Sequence, residues 1–193
     1  MNRILYLHGF ASSSDSTKAK LFKAFMQKNK KFVVLVPDLP NNLVGWSDVI
    51  ENLVKQYAPV AFVGSSLGGF YASYYARRFG NIDILLNPAV LPAQGMKVYL
   101  GNNKNYSTNE EFELTNADIE HLAKMEKNIG NAQLSCNRTM VLLETGDEIL
   151  NYKNAVDFYA GAYIKVIKGG SHSLDSFEDQ LEKIFLFINN ALN

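Results

Sequence analysis

The residues with the clearest chemical potential lie in the segment 64–68, which reads Gly-Ser-Ser-Leu-Gly. An apolar run, Val60–Val63, precedes this segment, and Phe70–Phe79 follows it with the apolar spacing of a helix. Gly-x-Ser-x-Gly between a strand and a helix is the pattern of a nucleophile elbow, a tight turn that raises a serine hydroxyl above the strand ends. Glycines on both sides of the serine remove side chains that would collide in such a turn. The pattern predicts that Ser66 is a nucleophile.

Two other kinds of glycine-rich loop do not fit these residues. A dinucleotide-binding fingerprint requires Gly-x-Gly-x-x-Gly, but Ser66 stands where the second glycine belongs. A phosphate-binding P-loop requires Lys and then Ser or Thr after its last glycine, whereas Phe70 and Tyr71 follow Gly69. A structural alternative stays open, in which Ser66 caps the helix of an ordinary glycine-rich turn.

A serine hydroxyl becomes a nucleophile only when a base takes its proton, so the hypothesis requires a histidine. The chain has three. We predict His172 as the base, because its loop follows the last predicted strand and can reach across the strand ends; an exposed loop histidine without such a role is the alternative. His8 is expected to bond nearby loop backbone, and His121 is expected to face solvent.

The acid that orients the histidine should follow a strand between Ser66 and His172 in the chain. Asp147 fits best, because the pair Gly-Asp comes directly after the apolar run Met140–Leu143 and Glu144. A buried carboxylate there would fix the imidazole tautomer and stabilise the imidazolium formed during attack. Glu148 is the first alternative, and Glu144 and Asp175 are less favoured; an ordinary Asx turn is the structural alternative for Asp147.

Two backbone N–H groups must also face the negative charge that develops on a substrate carbonyl oxygen. One is expected from Leu67, the residue after the nucleophile. The other is expected from Phe10, in the loop His8-Gly9-Phe10 after the first strand. This loop lacks the Gly-Gly run of HGGG-type esterases, which argues against that lipase-like subclass.

Six short apolar runs alternate with segments of helical periodicity, which predicts an α/β fold with a mostly parallel sheet and helices on both faces. We expect one domain over residues 1–193. The predicted strands are Ile4–Leu7, Phe32–Val36, Val60–Val63, Ile82–Leu86, Met140–Leu143 and Tyr163–Ile167. The predicted helices are Lys18–Lys28, Trp46–Tyr57, Phe70–Phe79, Asn116–Ile129, Tyr152–Tyr159 and Phe177–Ile188.

About fifty residues separate the fourth and fifth strands, which is far more than a crossover needs. The segment Pro88–Leu114 therefore forms an excursion, and its apolar content predicts a lid-like flap over Ser66 with Gly95 and Gly101 as hinges. Tyr99 and Tyr106 are its predicted substrate-binding residues. In the alternative, the segment is a long crossover that packs into the core.

Composition excludes several classes of protein. Nineteen basic residues balance nineteen acidic ones without clustering, so neither nucleic acid nor a membrane is an expected partner. Cys136 is the single cysteine, expected as a small buried residue, and together with the lack of a long N-terminal apolar run it favours a cytoplasmic location. No cluster of His, Asp or Glu has the spacing of metal ligands, so no metal or cofactor is expected.

Six segments of the chain together resemble the YqiA-like esterases, a small family within the α/β-hydrolase superfamily. The similarity runs along nearly the whole chain, and Asn-Pro-Ala-Val and Gly-Asp-Glu are not general hydrolase motifs. The matching segments are Ile4-Leu5-Tyr6-Leu7-His8-Gly9-Phe10, Ser14-x-Ser16-x-Lys18-Ala19, Gly64-Ser65-Ser66-Leu67-Gly68-Gly69, Leu86-Asn87-Pro88-Ala89-Val90, Gly146-Asp147-Glu148 and Gly169-Gly170-Ser171-His172.

The resemblance implies a compact hydrolase fold that begins at the third strand of the usual sheet. It also implies esterase or acyl-CoA thioesterase activity, with Ser66, Asp147 and His172 as nucleophile, acid and base. The residues themselves predict a cofactor-free serine hydrolase of small acyl esters or thioesters, a carboxylesterase or a thioesterase. The alternative is a non-catalytic binding or interaction module on the same fold, since a fold does not fix a function. The sequence does not define the oligomeric state.

Overall fold

A computed structural model describes residues 1–129 and 134–193 and contains one six-stranded sheet and one two-stranded hairpin. The strands are β1 (Asn2–Leu7), β2 (Phe32–Leu35), β3 (Ala61–Ser65), β4 (Ile82–Leu86), β5 (Gly101–Lys104), β6 (Glu111–Leu114), β7 (Thr139–Glu144) and β8 (Tyr163–Ile167). The helices are α1 (Thr17–Lys28), α2 (Leu43–Tyr57), α3 (Leu67–Phe79), α4 (Pro92–Met96), α5 (Asn116–Asn128), α6 (Tyr152–Phe158) and α7 (Phe177–Ala191). The α/β prediction is confirmed, and the six predicted strands differ from the observed ones by at most two residues at either end.

The larger sheet has the strand order β2-β1-β3-β4-β7-β8, and each neighbouring pair is parallel. The chain runs outward from β1 to β2, returns past β1 to β3 and then continues toward the opposite edge. The strand order therefore reverses between β1 and β3, and connecting loops that diverge there leave a crevice at the carboxyl ends. This crevice lies between the residues that follow Leu7 and those that follow Ser65.

Two hydrophobic clusters cover the two faces of the sheet. Alternate residues of β1 divide between them, because successive side chains of a strand point to opposite faces. Ile4 and Tyr6 pack with the apolar sides of α1 and α7, whereas Leu5 and Leu7 pack with α2, α3 and α5. The central strands β3 and β4 are buried throughout, as expected for parallel strands covered by helices on both sides.

The excursion 88–114 contains more regular structure than the sequence predicted. It begins with α4, continues through a short 3₁₀ turn at Lys97–Tyr99 and ends in the antiparallel hairpin of β5 and β6. The hairpin strands read Gly-Asn-Asn-Lys and Glu-Phe-Glu-Leu, which lack the β-branched content that indicates a strand. The predicted crossover helix is present as α5, and Thr115 and Asp118 form a capping box at its start.

Two expectations about single residues are wrong. Cys136 is exposed and not a buried apolar residue, because it lies in the turn that precedes β7. His121 does not simply face solvent: it is partly buried, and its Nε2 lies 2.9 Å from the Ser47 hydroxyl on α2. Among the described residues, none of the helices has both the length and the apolar character of a membrane span.

Asp83 is a fully buried carboxyl group in the central strand β4. Burial raises its pKa to about 7, although Thr139 and the nearby arginines favour the charged form. Between about pH 4 and 7 the folded chain therefore keeps a proton that the unfolded chain releases. This group makes folding less favourable as the pH rises through that window.

We expect Asp83→Asn to remove this pH dependence, because an amide does not titrate. The stability of the variant relative to the wild type should rise between pH 5 and 7.5. The rise should be about 1.4 kcal/mol for each pH unit of this interval that lies below the folded pKa of Asp83. Urea unfolding at both pH values measures the change. Asp48→Asn, at an exposed carboxylate, is the control. An equal effect of Asp83→Asn at both pH values would contradict the assignment.

Candidate active site

Ser66 stands in the turn between β3 and α3 in a strained backbone conformation, with φ of 55° and ψ of −122°. Such angles are costly for a residue with a side chain and persist where the surroundings enforce them. A Cβ on Gly64 would collide with the Gly68 backbone, and a Cβ on Gly68 would collide with the carbonyls of Leu7 and His8. Both glycines are therefore required sterically, as the motif predicted.

Of the three predicted catalytic side chains, His172 lies within hydrogen-bonding distance of the other two. His172 Nε2 is 3.0 Å from Ser66 Oγ, and His172 Nδ1 is 2.9 and 3.0 Å from the two carboxylate oxygens of Asp147. The Asp147 side chain is 2% exposed and that of His172 is 23% exposed. The Ser66 hydroxyl makes no capping bond to α3, so its position is not that of an ordinary helix cap.

Asp147 is held by the backbone that follows it. Its Oδ1 accepts hydrogen bonds from the N–H groups of Ile149 and Leu150, at 2.9 and 2.8 Å. Asp147 therefore forms an Asx turn and also contacts His172, so the structural alternative and the contact with the imidazole occur at the same side chain. Glu148, the first alternative acid, instead accepts the backbone N–H of His172 at 2.9 Å.

Glu144 and Asn87 support the loop that carries His172, and the sequence did not indicate this role. The buried Glu144 carboxylate accepts N–H groups from Ser171, Asp175 and Ser176 at 2.8 to 2.9 Å. Burial acts to raise the pKa of Glu144, but these hydrogen bonds outweigh it and hold the pKa below its ordinary value. Glu144 is therefore a charged anchor for the loop.

Asn87 links the same loop to the sheet. Its Nδ2 donates to the carbonyls of Ser171 and His172 at 3.0 and 3.3 Å, and its Oδ1 accepts the Glu144 N–H at 2.9 Å. Asn87 directly follows the buried strand β4, and Glu144 is the last residue of the buried strand β7. This position at a strand end is the one sequence signal that could have pointed to them. Polar residues at the carboxyl ends of parallel strands lie beside the crevice.

The two N–H groups predicted to face a substrate oxygen belong to loops that converge on Ser66. Within the described residues, neither the Phe10 nor the Leu67 N–H has a protein acceptor. Gly9 approaches Ser66 so closely that a Cβ there would lie 3.4 Å from the Ser66 Cβ. The loop that carries Phe10 therefore lies against Ser66, while the role of both N–H groups toward a substrate oxygen stays a prediction.

His8 has the structural role that the sequence predicted. It is 2% exposed, its Nε2 accepts the Leu39 N–H at 3.2 Å, and its Nδ1 lies 2.9 Å from the Gly9 carbonyl oxygen. Burial lowers the pKa of this imidazole, and the neutral ring can donate at Nδ1 while it accepts at Nε2. These bonds fix the loop that carries Phe10.

A cavity of about 820 Å³ opens over Ser66 and His172, and parts of the excursion form one of its walls. Tyr99 and Tyr106, the predicted substrate-binding residues, line it, and Tyr106 is 83% exposed. The Tyr99 ring packs on Phe10 with 5.6 Å between centroids. Met96 and Leu114 are buried in the core, as the alternative interpretation of the excursion expects, and the flap stays a prediction.

The model of Uncharacterised protein family UPF0227 matches residues 3–189. The chain belongs to this family. UPF0227 corresponds to the YqiA-like esterases, so the resemblance drawn from the sequence motifs is confirmed.

Several solved structures share the fold of this UPF0227 chain. Est1E from Butyrivibrio proteoclasticus has 16% sequence identity and a TM-score of 0.75, with 99% of this chain and 88% of that chain aligned. Mouse alpha/beta hydrolase domain-containing protein 10 has 16% identity and a TM-score of 0.75, with 99% and 90% aligned. The esterase domain of a Rhodothermus marinus protein has 16% identity and a TM-score of 0.68, with 99% and 85% aligned. At this identity the likeness shows the fold, which is that of the α/β hydrolases.

We expect Glu144→Gln to loosen the His172 loop, because an amide of the same shape places an N–H group against backbone N–H donors. The loss of these charge-assisted bonds should lower the free energy of unfolding by about 2 kcal/mol, which corresponds to a fall in Tm on the order of 5 °C. The wild-type carboxylate stabilises the fold above its ordinary pKa, and this contribution disappears as the pH falls through the lowered folded pKa. The difference between the proteins should therefore shrink below about pH 4.

Thermal unfolding at pH 7 and pH 3.5 measures this difference. Glu182→Gln, at an exposed position of α7, is the matched control. If Glu144→Gln leaves Tm unchanged at pH 7, Glu144 does not anchor the loop.

Proposed function

We propose that the protein is a serine hydrolase that cleaves small acyl esters or thioesters at Ser66. The contact of His172 Nε2 with Ser66 Oγ at 3.0 Å carries this proposal. It joins a strained serine to an imidazole whose other nitrogen faces the buried Asp147 carboxylate. Nucleophile, base and orienting acid in this order form the constellation of acyl-transfer enzymes.

The reaction follows from these positions. His172 Nε2 takes the proton of Ser66 Oγ as the oxygen attacks the acyl carbon, and the N–H groups of Phe10 and Leu67 stabilise the oxyanion. The tetrahedral intermediate collapses, the C–O or C–S bond to the leaving group breaks, and His172 donates the proton to the departing alcohol or thiol. Water, activated by the same imidazole, then hydrolyses the acyl-serine and restores Ser66.

A non-catalytic module on the same fold would have no need for a reachable, aligned hydroxyl. Ser66 lies on the wall of an open cavity, and the loop of His172 is anchored by Glu144 and Asn87. These observations favour the hydrolase over the binding module. The leaving group, alcohol or thiol, is open to assay with paired esters and thioesters of the same acyl chain.

Ser66→Ala should lower kcat/KM for p-nitrophenyl butyrate by about three orders of magnitude or more, because no other group supplies the nucleophile. A fluorophosphonate probe should label the wild type at Ser66 and leave the variant unlabelled. Ser73→Ala, a buried serine further along α3, is the control. A wild-type protein that neither turns over the ester nor takes up the probe would refute the proposed function.

The excursion is proposed to set acyl-chain preference as a flap over the cavity. Replacing Tyr99 and Tyr106 together with Ala should change the ratio of octanoyl to acetyl kcat/KM several-fold, because both rings line the cavity. Tm should change little, since Tyr106 is exposed and Tyr99 only partly buried. Tyr163→Ala, on the edge strand β8, is the control. An equal loss on both substrates with a large fall in Tm would mean that the segment acts as core.

A further inference from the structure

Lys18 belongs to the Ser14-x-Ser16-x-Lys18 segment, which the proposed reaction does not use. It is the second residue of α1, is partly buried and lines the same cavity as Ser66. Its Nζ donates to the Ser173 carbonyl at 2.7 Å, next to the base in the chain. The lysine therefore lies at the edge of the reacting centre.

The Lys18 ammonium has no close anionic partner in the described residues. No carboxylate of the described residues lies within 4.0 Å of its Nζ, the limit for an ion pair, and one of its three N–H groups donates to Ser173. Burial acts to lower its pKa, and the more distant carboxylates of Glu144, Asp175 and Asp147 oppose this effect. Lysines with restricted access to water are normally paired, so this cation has unused capacity for an anion.

The surroundings of Lys18 suit an anion as well. Among the described residues that line the cavity, Lys18 is the only one with a permanent charge, and none is a carboxylate. The side-chain hydroxyls of Ser12, Ser16 and Ser173 line it too and make no hydrogen bond within the described chain. Ser16 precedes α1 but does not cap it with its side chain. A cation and three serines without hydroxyl hydrogen bonds in the described chain therefore line the same cavity, and Lys18 bonds the backbone of one of them.

The position of this wall relates it to the leaving group. The imidazole must protonate the departing atom, so the leaving group has to pass within hydrogen-bonding reach of His172 Nε2. Ser173 follows His172, and Lys18 bonds its carbonyl, so the ammonium borders the space on the imidazole side.

We propose that Lys18, with the hydroxyls of Ser12, Ser16 and Ser173, binds an anionic substituent on the leaving group. The preferred substrates are then esters or thioesters whose alcohol or thiol portion carries a negatively charged group. This inference rests on the proposed hydrolase activity and extends it to a class of substrate.

Two isosteric esters test the proposal, 4-carboxyphenyl butyrate and 4-carbamoylphenyl butyrate, which differ by one charge. Lys18→Met should lower kcat/KM for the carboxylate ester about tenfold or more, mainly through KM, since a charge-assisted hydrogen bond is lost. The neutral amide should change far less, so the preference for the charged ester collapses. Lys18→Arg should retain most of that preference, and added salt should weaken it in the wild type.

Lys20→Met is the matched control, because Lys20 lies on the same helix but is exposed and pairs with Asp15 at 3.3 Å. A second pair of esters places the charge on the acyl side, mono-4-nitrophenyl glutarate and 4-nitrophenyl 4-carbamoylbutyrate. An equal effect of Lys18→Met on charged and neutral esters would overturn the anion site, and so would an effect confined to the acyl pair. If the wild type hydrolyses neither 4-carboxyphenyl butyrate nor 4-carbamoylphenyl butyrate, the proposed hydrolase activity itself is refuted.

Discussion

Close backbone contact around Ser66 is the constraint on which the rest of the site depends. The start of α3 lies directly on the end of β1, where Gly68 packs against the carbonyls of Leu7 and His8, and Gly69 packs against Pro88 after β4. Any side chain at these glycines would separate the segments. The approach brings the Leu67 N–H, the Phe10 loop and the Ser66 hydroxyl to one point at the reversal of strand order. A reactive geometry is thus a consequence of packing between a helix and three strand ends.

The sequence predicted the parts of this arrangement that are local. A strand, a Gly-x-Ser-x-Gly turn and a helix are contiguous, so their geometry follows from sterics over about ten residues. The support from Glu144 and Asn87 was missed, because it joins residues 27 to 85 positions apart. The β5–β6 hairpin was missed because its strands are largely polar, and Cys136 was misplaced because turn residues override its usual preference for the interior.

Three carboxylates surround the His172 loop, and backbone geometry decides which one meets the ring. Glu144 is occupied by N–H groups of the loop, and Glu148 accepts the N–H of His172 itself. Asp147 alone of the three contacts the imidazole, with its own orientation fixed by the N–H groups of Ile149 and Leu150. Residue type and chain position rank these acids but do not decide between them, because the path of the loop determines which carboxylate meets the ring.

Backbone strain is concentrated at the same edge of the sheet. Of the eight described non-glycine residues with positive φ, six lie in loops that border the cavity or carry the base: Ala11, Ser66, Asn87, Leu91, Asn109 and Leu174. Positive φ costs free energy for residues with a Cβ, so each must be enforced by its contacts. Asn87 shows how: its strained backbone aims one amide at both the His172 loop and the Glu144 N–H. Strained residues in several loops after the parallel strands therefore accompany the convergence of these loops on the Ser66 hydroxyl.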